Sequence, residues 1–188
     1  MSNIFELEKS IKEMIDDLKG LCSDNGLSNQ AGEETVITTV FLYKFLNDKF
    51  MHNLNKFMED TGLTIDEIKA NENDELDAFY DVYAGDVAFS YEDTIESLIN
   101  NVSNDNFYMI FDEALLRISN YERNQVFSIE TDEGTRKPLF TRLSDVLTDG
   151  SKKNSFAKAI FGISVRRSLI LAKHSPITLI SIPQFLNI

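Results

Sequence analysis

A chain of 188 residues with 43% hydrophobic content is long enough to bury one core, with room for an appendage. Fourteen phenylalanines and recurring apolar residues exclude wholesale disorder, the single Cys22 excludes an internal disulfide framework, and no apolar run reaches the ~20 residues that a membrane-spanning helix needs. The net charge of −13 excludes broad attraction to nucleic acid or anionic membrane, leaving only a local basic strip that works when a more basic subunit holds the DNA. With no signal peptide at its start, a reducing cytoplasm is the expected compartment.

The first predicted helix runs from Ile4 to Leu21, capped by Ser2 or Asn3, with Ile4, Leu7, Ile11, Met14, Ile15, Leu18 and Leu21 as its apolar stripe. A polar loop rich in turn formers follows, and then the longest helix-compatible run, Glu33 to Asp60, free of Gly and Pro. Val36, Val40, Tyr43, Phe50, Leu54 and Phe57 recur there on alternating steps of four and three, broken only by Asn47. Ile37, Phe41, Leu42, Phe45 and Leu46 make the first half apolar almost all round, the mark of a helix surrounded by protein. Asp60-Thr61-Gly62 stops it, and Thr64 with Glu67 forms a capping box that opens a short helix.

Beyond it, Leu76, Phe79, Tyr80 and Tyr83 stand at helical spacing in an acidic stretch. Ala88 to Tyr91 reads as extended, ahead of a helix over Glu92–Asn101. Asp105 is expected to cap a further helix with Phe107, Ile110, Phe111, Ala114, Leu115 and Ile118 on its inner face. Val126 to Glu130 alternates like a strand before the turn signal Thr131 to Gly134, which predicts a small hairpin near 126–137. Helices over Pro138–Leu147 and Ser155–Ile163 close the series. The fold class is therefore mainly α: an orthogonal multi-helix bundle around one long central helix.

Motifs that carry chemistry are mostly absent. His52 and His174 are too few for a zinc site, and Cys22 near a helix end reads as a small hydrophobe. Ser155-Phe156-Ala157-Lys158 matches a bare Ser-x-x-Lys pattern without its partner motifs. The acidic run Asn71 to Asp77 lacks calcium-loop logic, because Leu76 stands where the turn glycine belongs and Val82 where the bidentate glutamate belongs. Neither a dinucleotide nor a phosphate-loop glycine pattern occurs. Lys44, Lys49 and Lys56, interleaved with Tyr43, Phe50 and Phe57, are the candidate contacts to DNA or a partner; solvated or snorkelling surface lysines are the commoner outcome of such a pattern.

The segment Leu7-Glu8-Lys9 through Leu18, followed by Val40-Phe41-Leu42-Tyr43-Lys44-Phe45-Leu46-Asn47-Asp48-Lys49-Phe50, resembles the N-terminal helical domain of modification (M) subunits of type I restriction–modification systems. In that family an opening helix precedes a hydrophobic helix with a phenylalanine-leucine-lysine-tyrosine, then aspartate-arginine-phenylalanine kind of block. Lys44-Phe45 and Asp48-Lys49-Phe50 stand in those places here. The similarity continues more loosely through Ser90-Tyr91, Phe111 to Leu115 and Leu139 to Ile163, covering residues 1–163 as one helical domain. It implies a part of an adenine-N6 DNA methyltransferase that uses S-adenosylmethionine and assembles with specificity (S) and restriction (R) subunits, meeting DNA only within that complex and no membrane. The family's catalysis sits in a later domain with a glycine-rich cofactor loop and an Asn-Pro-Pro-aromatic motif for the flipped adenine. This chain has no Pro-Pro pair, so catalytic, cofactor and metal residues are expected to be none here, and the implied role is docking and closing around DNA.

Residues 164–188 differ in texture. All 31 carboxylates lie at or before Asp149, residues 1–163 carry 15 basic against 31 acidic side chains (−16), and two of three prolines, Pro176 and Pro183, fall in the tail. AT-rich codons for Ser168–Ile188, read from the last base of the Ser168 codon, can give strings that look like the family's continuation, so the tail is read as a frameshift product. The rival reading is a free-standing acidic helical adaptor or a DNA mimic whose carboxylates imitate phosphates. An exposed apolar patch marks a docking domain, and duplex-like rows of carboxylates mark a mimic.

Overall fold

Helix α2 (Ala31–Thr61) runs for 31 residues, about 46 Å at ~1.5 Å per residue, and packs against helices at both ends of the chain. The computed structural model describes residues 2–28, 31–70, 74–82, 90–120, 128–130, 134, 136–138 and 141–166. The expected face of α2 is buried throughout: Val36, Val40, Tyr43 and Phe50 are fully enclosed, with Leu54 and Phe57 nearly so. Leu42, Leu46, Thr39 and Lys44 are buried as well, while Ile37, Phe41 and Phe45 are half-buried against the core. The first half of α2 is thus enclosed on most sides, with Glu34, Ile37, Phe41 and Phe45 along its partly exposed line, and its second half turns His52, Asn55 and Lys56 outward.

Helix α1 (Ser2–Asp24) lies against α2 and α7 (Lys153–Arg166) and buries Ile11, Met14, Leu18 and Cys22 at the spacing of a helix stripe. Its chain then turns through Gly26 (φ 77°), a left-handed conformation that a side chain resists, before entering α2. At the far end of α2 the chain leaves through Gly62 (φ 75°), whose N–H bonds the Met58 carbonyl at 2.9 Å. The capping box forms as predicted. Thr64 N–H donates to Glu67 Oε2 at 2.8 Å, and Glu67 N–H donates to Thr64 Oγ1 at 3.3 Å. It opens α3 (Ile65–Ala70), and α4 (Asp74–Val82) follows. Phe79 fastens α4 to the second half of α2, edge-on to Phe50 with ring centroids 5.4 Å apart and 5.7 Å from Phe57.

Helix α6 (Phe107–Asn120) presents Phe107, Phe111, Ala114, Leu115 and Ile118 to the interior as its periodicity predicts. Phe107, Phe111 and Phe161 of α7 form one ring cluster with centroid separations of 5.2 to 5.9 Å, and Tyr43 joins it 5.3 Å from Phe111. The first turn of α6 is capped from across the bundle rather than by Asp105: Tyr108 N–H donates to Asn154 Oδ1 of α7 at 3.1 Å. A two-stranded antiparallel hairpin, β1 (Ser128–Glu130) with β2 (Arg136–Pro138), pairs Ser128 with Pro138 and Ile129 with Lys137.

Two expected helices are not continuous. Residues 91–101 form a 3₁₀ turn, the single turn α5 (Ile95–Leu98) and a second 3₁₀ turn, because Thr94 is extended (ψ 157°) and spends its hydroxyl on capping. The stretch expected as a helix over Pro138–Leu147 begins on the last residue of strand β2 and holds, at Leu143–Val146, one 3₁₀ turn. Val126, Phe127, Ala88, Phe89, the turn residues 131–133 and everything after Arg166, including His174, lie outside the described residues. Among the described residues, no helix is long and apolar enough to cross a membrane.

Candidate functional site

The one polar break in the α2 stripe leads to a connected set of buried polar contacts. Asn47, 1% exposed, accepts the Ile95 N–H on its Oδ1 at 2.8 Å. That N–H opens α5 and has no partner within its own helix. Thr94 takes the next orphan, its Oγ1 accepting Ser97 N–H at 3.2 Å while its own hydroxyl donates to the Tyr91 carbonyl at 2.6 Å. One turn back along α2, the Tyr43 hydroxyl donates to the Asp93 carbonyl at 3.0 Å. Two side chains of the central helix therefore hold the connector by its backbone.

The Asp93 carboxylate, fully enclosed, is gripped by Arg117 of α6 through Nε at 3.0 Å and Nη2 at 2.6 Å. Burial raises the Asp93 pKa above its ordinary range, and the Arg117 guanidinium pulls against that shift. Burial likewise drives the Tyr43 phenol well upward, reinforced by Glu96, Asp93 and Asp48, so it remains a donor at neutral pH. On the opposite edge of α6, Asp112 accepts the Ser144 N–H at 3.2 Å and caps the 3₁₀ turn at Leu143–Val146. Its pKa is also raised by burial, against the hydrogen bonds from Ser144 and Leu143.

The three candidate lysines do not form one strip. Lys44 is buried and pairs with Asp48, one turn on, which also accepts from Asn47 Nδ2 at 3.3 Å. Lys49 is half-buried and Lys56 exposed. These two are seven positions apart and share a face, whereas Lys44 lies about 140° around the helix from Lys49. A buried, neutralised ammonium is a packing element of α2, so only Lys49 and Lys56 are placed to reach a phosphate or a partner from this helix.

The remaining candidates resolve into ordinary roles. Cys22 is enclosed, and burial, helped by Glu33, pushes its thiol to about 11, so it is protonated at neutral pH and a poor nucleophile. Ser155 donates to the Lys152 carbonyl at 2.9 Å and Lys158 to the Ser103 carbonyl at 3.5 Å, so neither activates the other. His52 is exposed. Among the described residues, no group of three or more His, Cys, Asp or Glu side chains could hold a metal ion. What the polar cluster does chemically is to fix geometry: it locks an irregular connector between α2 and α6 without a nucleophile, base or ligand set that faces solvent.

Asp93 and Arg117 went unmarked in the sequence, since neither belongs to a motif, and Asp112 stood only within the looser similarity of Phe111 to Leu115, with no role attached to it. Asn47 did carry a signal, as the single polar residue in an otherwise strict apolar rhythm. No family model, curated protein or solved structure matches this chain.

Proposed function

We propose that this chain is a docking module of the kind formed by the N-terminal helical domain of type I M subunits, and that it binds a specificity subunit without catalysing methyl transfer itself. The observation that supports this reading is the block Val40 to Phe50, carried on the second helix of a mainly helical bundle behind an opening helix. Tyr43, Lys44, Leu46, Asn47 and Phe50 of that block are all buried, as expected of a resemblance carried by packing rather than by reacting groups. S-adenosylmethionine and the flipped adenine belong, in this reading, to a catalytic domain elsewhere, and contact with DNA to the assembled complex.

The test is co-purification of the full chain with the specificity subunit encoded nearby, with an intact catalytic subunit as positive control. Retention at a fixed ratio supports the module. Failure to bind, while the control binds, removes it. The acidic adaptor or DNA-mimic reading draws on a different observation, the concentration of carboxylates between Glu59 and Glu96. It predicts displacement of duplex DNA from a DNA-binding protein, which a docking module would not cause.

A further inference from the structure

Charge is sorted along this chain. Residues 59–96 hold 13 carboxylates against Lys69 alone, a net −12 out of −13 for the whole, whereas residues 150–188 hold six cations and no carboxylate. Among the described residues, part of the first group stands on the end of α2, on α3 and α4, and on the connector that follows. Phe79 fastens α4 to the second half of α2 through Phe50 and Phe57. Asp66 of α3 and Glu96 of α5 both act on Tyr91, adding to the upward push that burial gives its phenol, which places α3 beside the connector. Glu59, Asp66, Asp77, Asp81, Glu92 and Glu96 are exposed, and so is Val82, at 73%, in their midst.

Four of the six cations lie among the described residues, Lys152 in a 3₁₀ turn (Gly150–Lys152) and Lys153, Lys158 and Arg166 on α7, and Lys153 is paired with Asp145 at 3.7 Å. One side of α7 is packed on α6 and α1. Its other side carries Lys158, half-buried and donating to the Ser103 carbonyl, and Arg166, with Lys152 of the preceding turn beside them and the small residues Ser155, Ala159 and Gly162 between. The small residues leave that face low: a Cβ at Gly162 would meet only the Arg166 guanidinium, at 3.5 Å. Among the described residues, none of these three cations lies within 4.0 Å of a carboxylate.

We propose that the outward face of α7 docks onto the acidic lobe of a second copy of this chain, in a two-fold dimer where each copy supplies one cationic face and one acidic lobe. The occupant follows from complementarity. A nucleic acid or anionic membrane would match only the α7 face, whereas a second copy brings the matching sign to both surfaces. Two-fold symmetry makes the same contact twice and closes the assembly. The repulsion between two −13 chains is screened beyond about 8 Å at physiological salt, so the close pairs decide the outcome. This inference goes beyond the docking reading and does not depend on it.

The test is sedimentation velocity on the full chain and two charge-reversed variants, one Lys152→Glu/Lys158→Glu/Arg166→Glu, the other Glu59→Lys/Asp77→Lys/Asp81→Lys, each checked for native helicity by circular dichroism. The wild type is expected to dimerise at about 0.15 M salt, with a dissociation constant at least about tenfold weaker at 0.5 M. Each variant alone is expected to be monomeric, and an equimolar mixture of the two to dimerise again, since both contacts regain opposite charge. A wild type that stays monomeric at about 0.15 M salt up to roughly 200 µM overturns the proposal. So does a dimer that either variant preserves, or one that the mixture fails to restore.

Discussion

The Asp93–Arg117 pair offers the sharpest energetic test of how the connector is held. Arg117→Met keeps the length and apolar stem of the side chain but leaves a fully enclosed carboxylate without its two charge-assisted hydrogen bonds. Breaking a fully buried pair costs about 3–5 kcal/mol and an exposed one about 0.2–1 kcal/mol. Asp93 is fully enclosed but Arg117 is 52% exposed, so water can partly replace the guanidinium, and about 2–3 kcal/mol is the expected loss. Urea unfolding followed by circular dichroism measures it, in a cycle of Arg117→Met, Asp93→Asn and the double variant. A coupling of about 1.5 kcal/mol or more is predicted, with the double variant less damaged than the sum of the single ones. The pH dependence carries a sign. Burial raises the folded-state pKa of Asp93 above its ordinary 3.8, so the native state takes up a proton at a pH where the unfolded chain does not. Stability therefore rises as pH falls through the folded value and levels off below 3.8. Arg117→Met removes the opposing pull and should steepen that recovery, which the double variant abolishes. A coupling below about 0.5 kcal/mol, or no difference in pH slope, would refute the claim that this pair anchors the connector.

Three further outcomes are expected. Asn47→Ala leaves the Ile95 N–H buried without an acceptor and should cost about 1–3 kcal/mol in the same unfolding assay. Gly20→Ala should stabilise by about 0.5–1 kcal/mol, because Gly20 lies inside α1 with open space where a Cβ would project. Cys22 should resist a thiol-reactive disulfide reagent at about pH 8 in the native protein and react once the chain is unfolded, since burial lifts its pKa to about 11; rapid native labelling would contradict its placement.

Much of the frame was legible because it rests on periodicity. The α2 stripe, the inner face of α6 and the Thr64–Glu67 capping box depend on contacts within three or four residues, which a sequence displays directly. The irregular parts depend on partners far along the chain. Thr94 interrupts a helix over residues 92–101 because Asn47, 48 residues away, takes the N–H of Ile95. The turn at Leu143–Val146 replaces a longer helix because Asp112 of α6 caps it. The candidate lysines show the same limit. Helical spacing alone places Lys49 and Lys56 together, but only the fold reveals that Lys44 is enclosed beside Asp48. The cationic face of α7 was visible as a run without carboxylates, and the acidic segment as a count; which of these side chains stand exposed was not.

Co-purification of this chain with the specificity subunit, in competition with the intact catalytic subunit, weighs the docking proposal against every alternative. The proposal predicts a stable complex that the catalytic subunit displaces, since both would use the same helical surface. A chain that never enters the complex, while the catalytic subunit does, would contradict it.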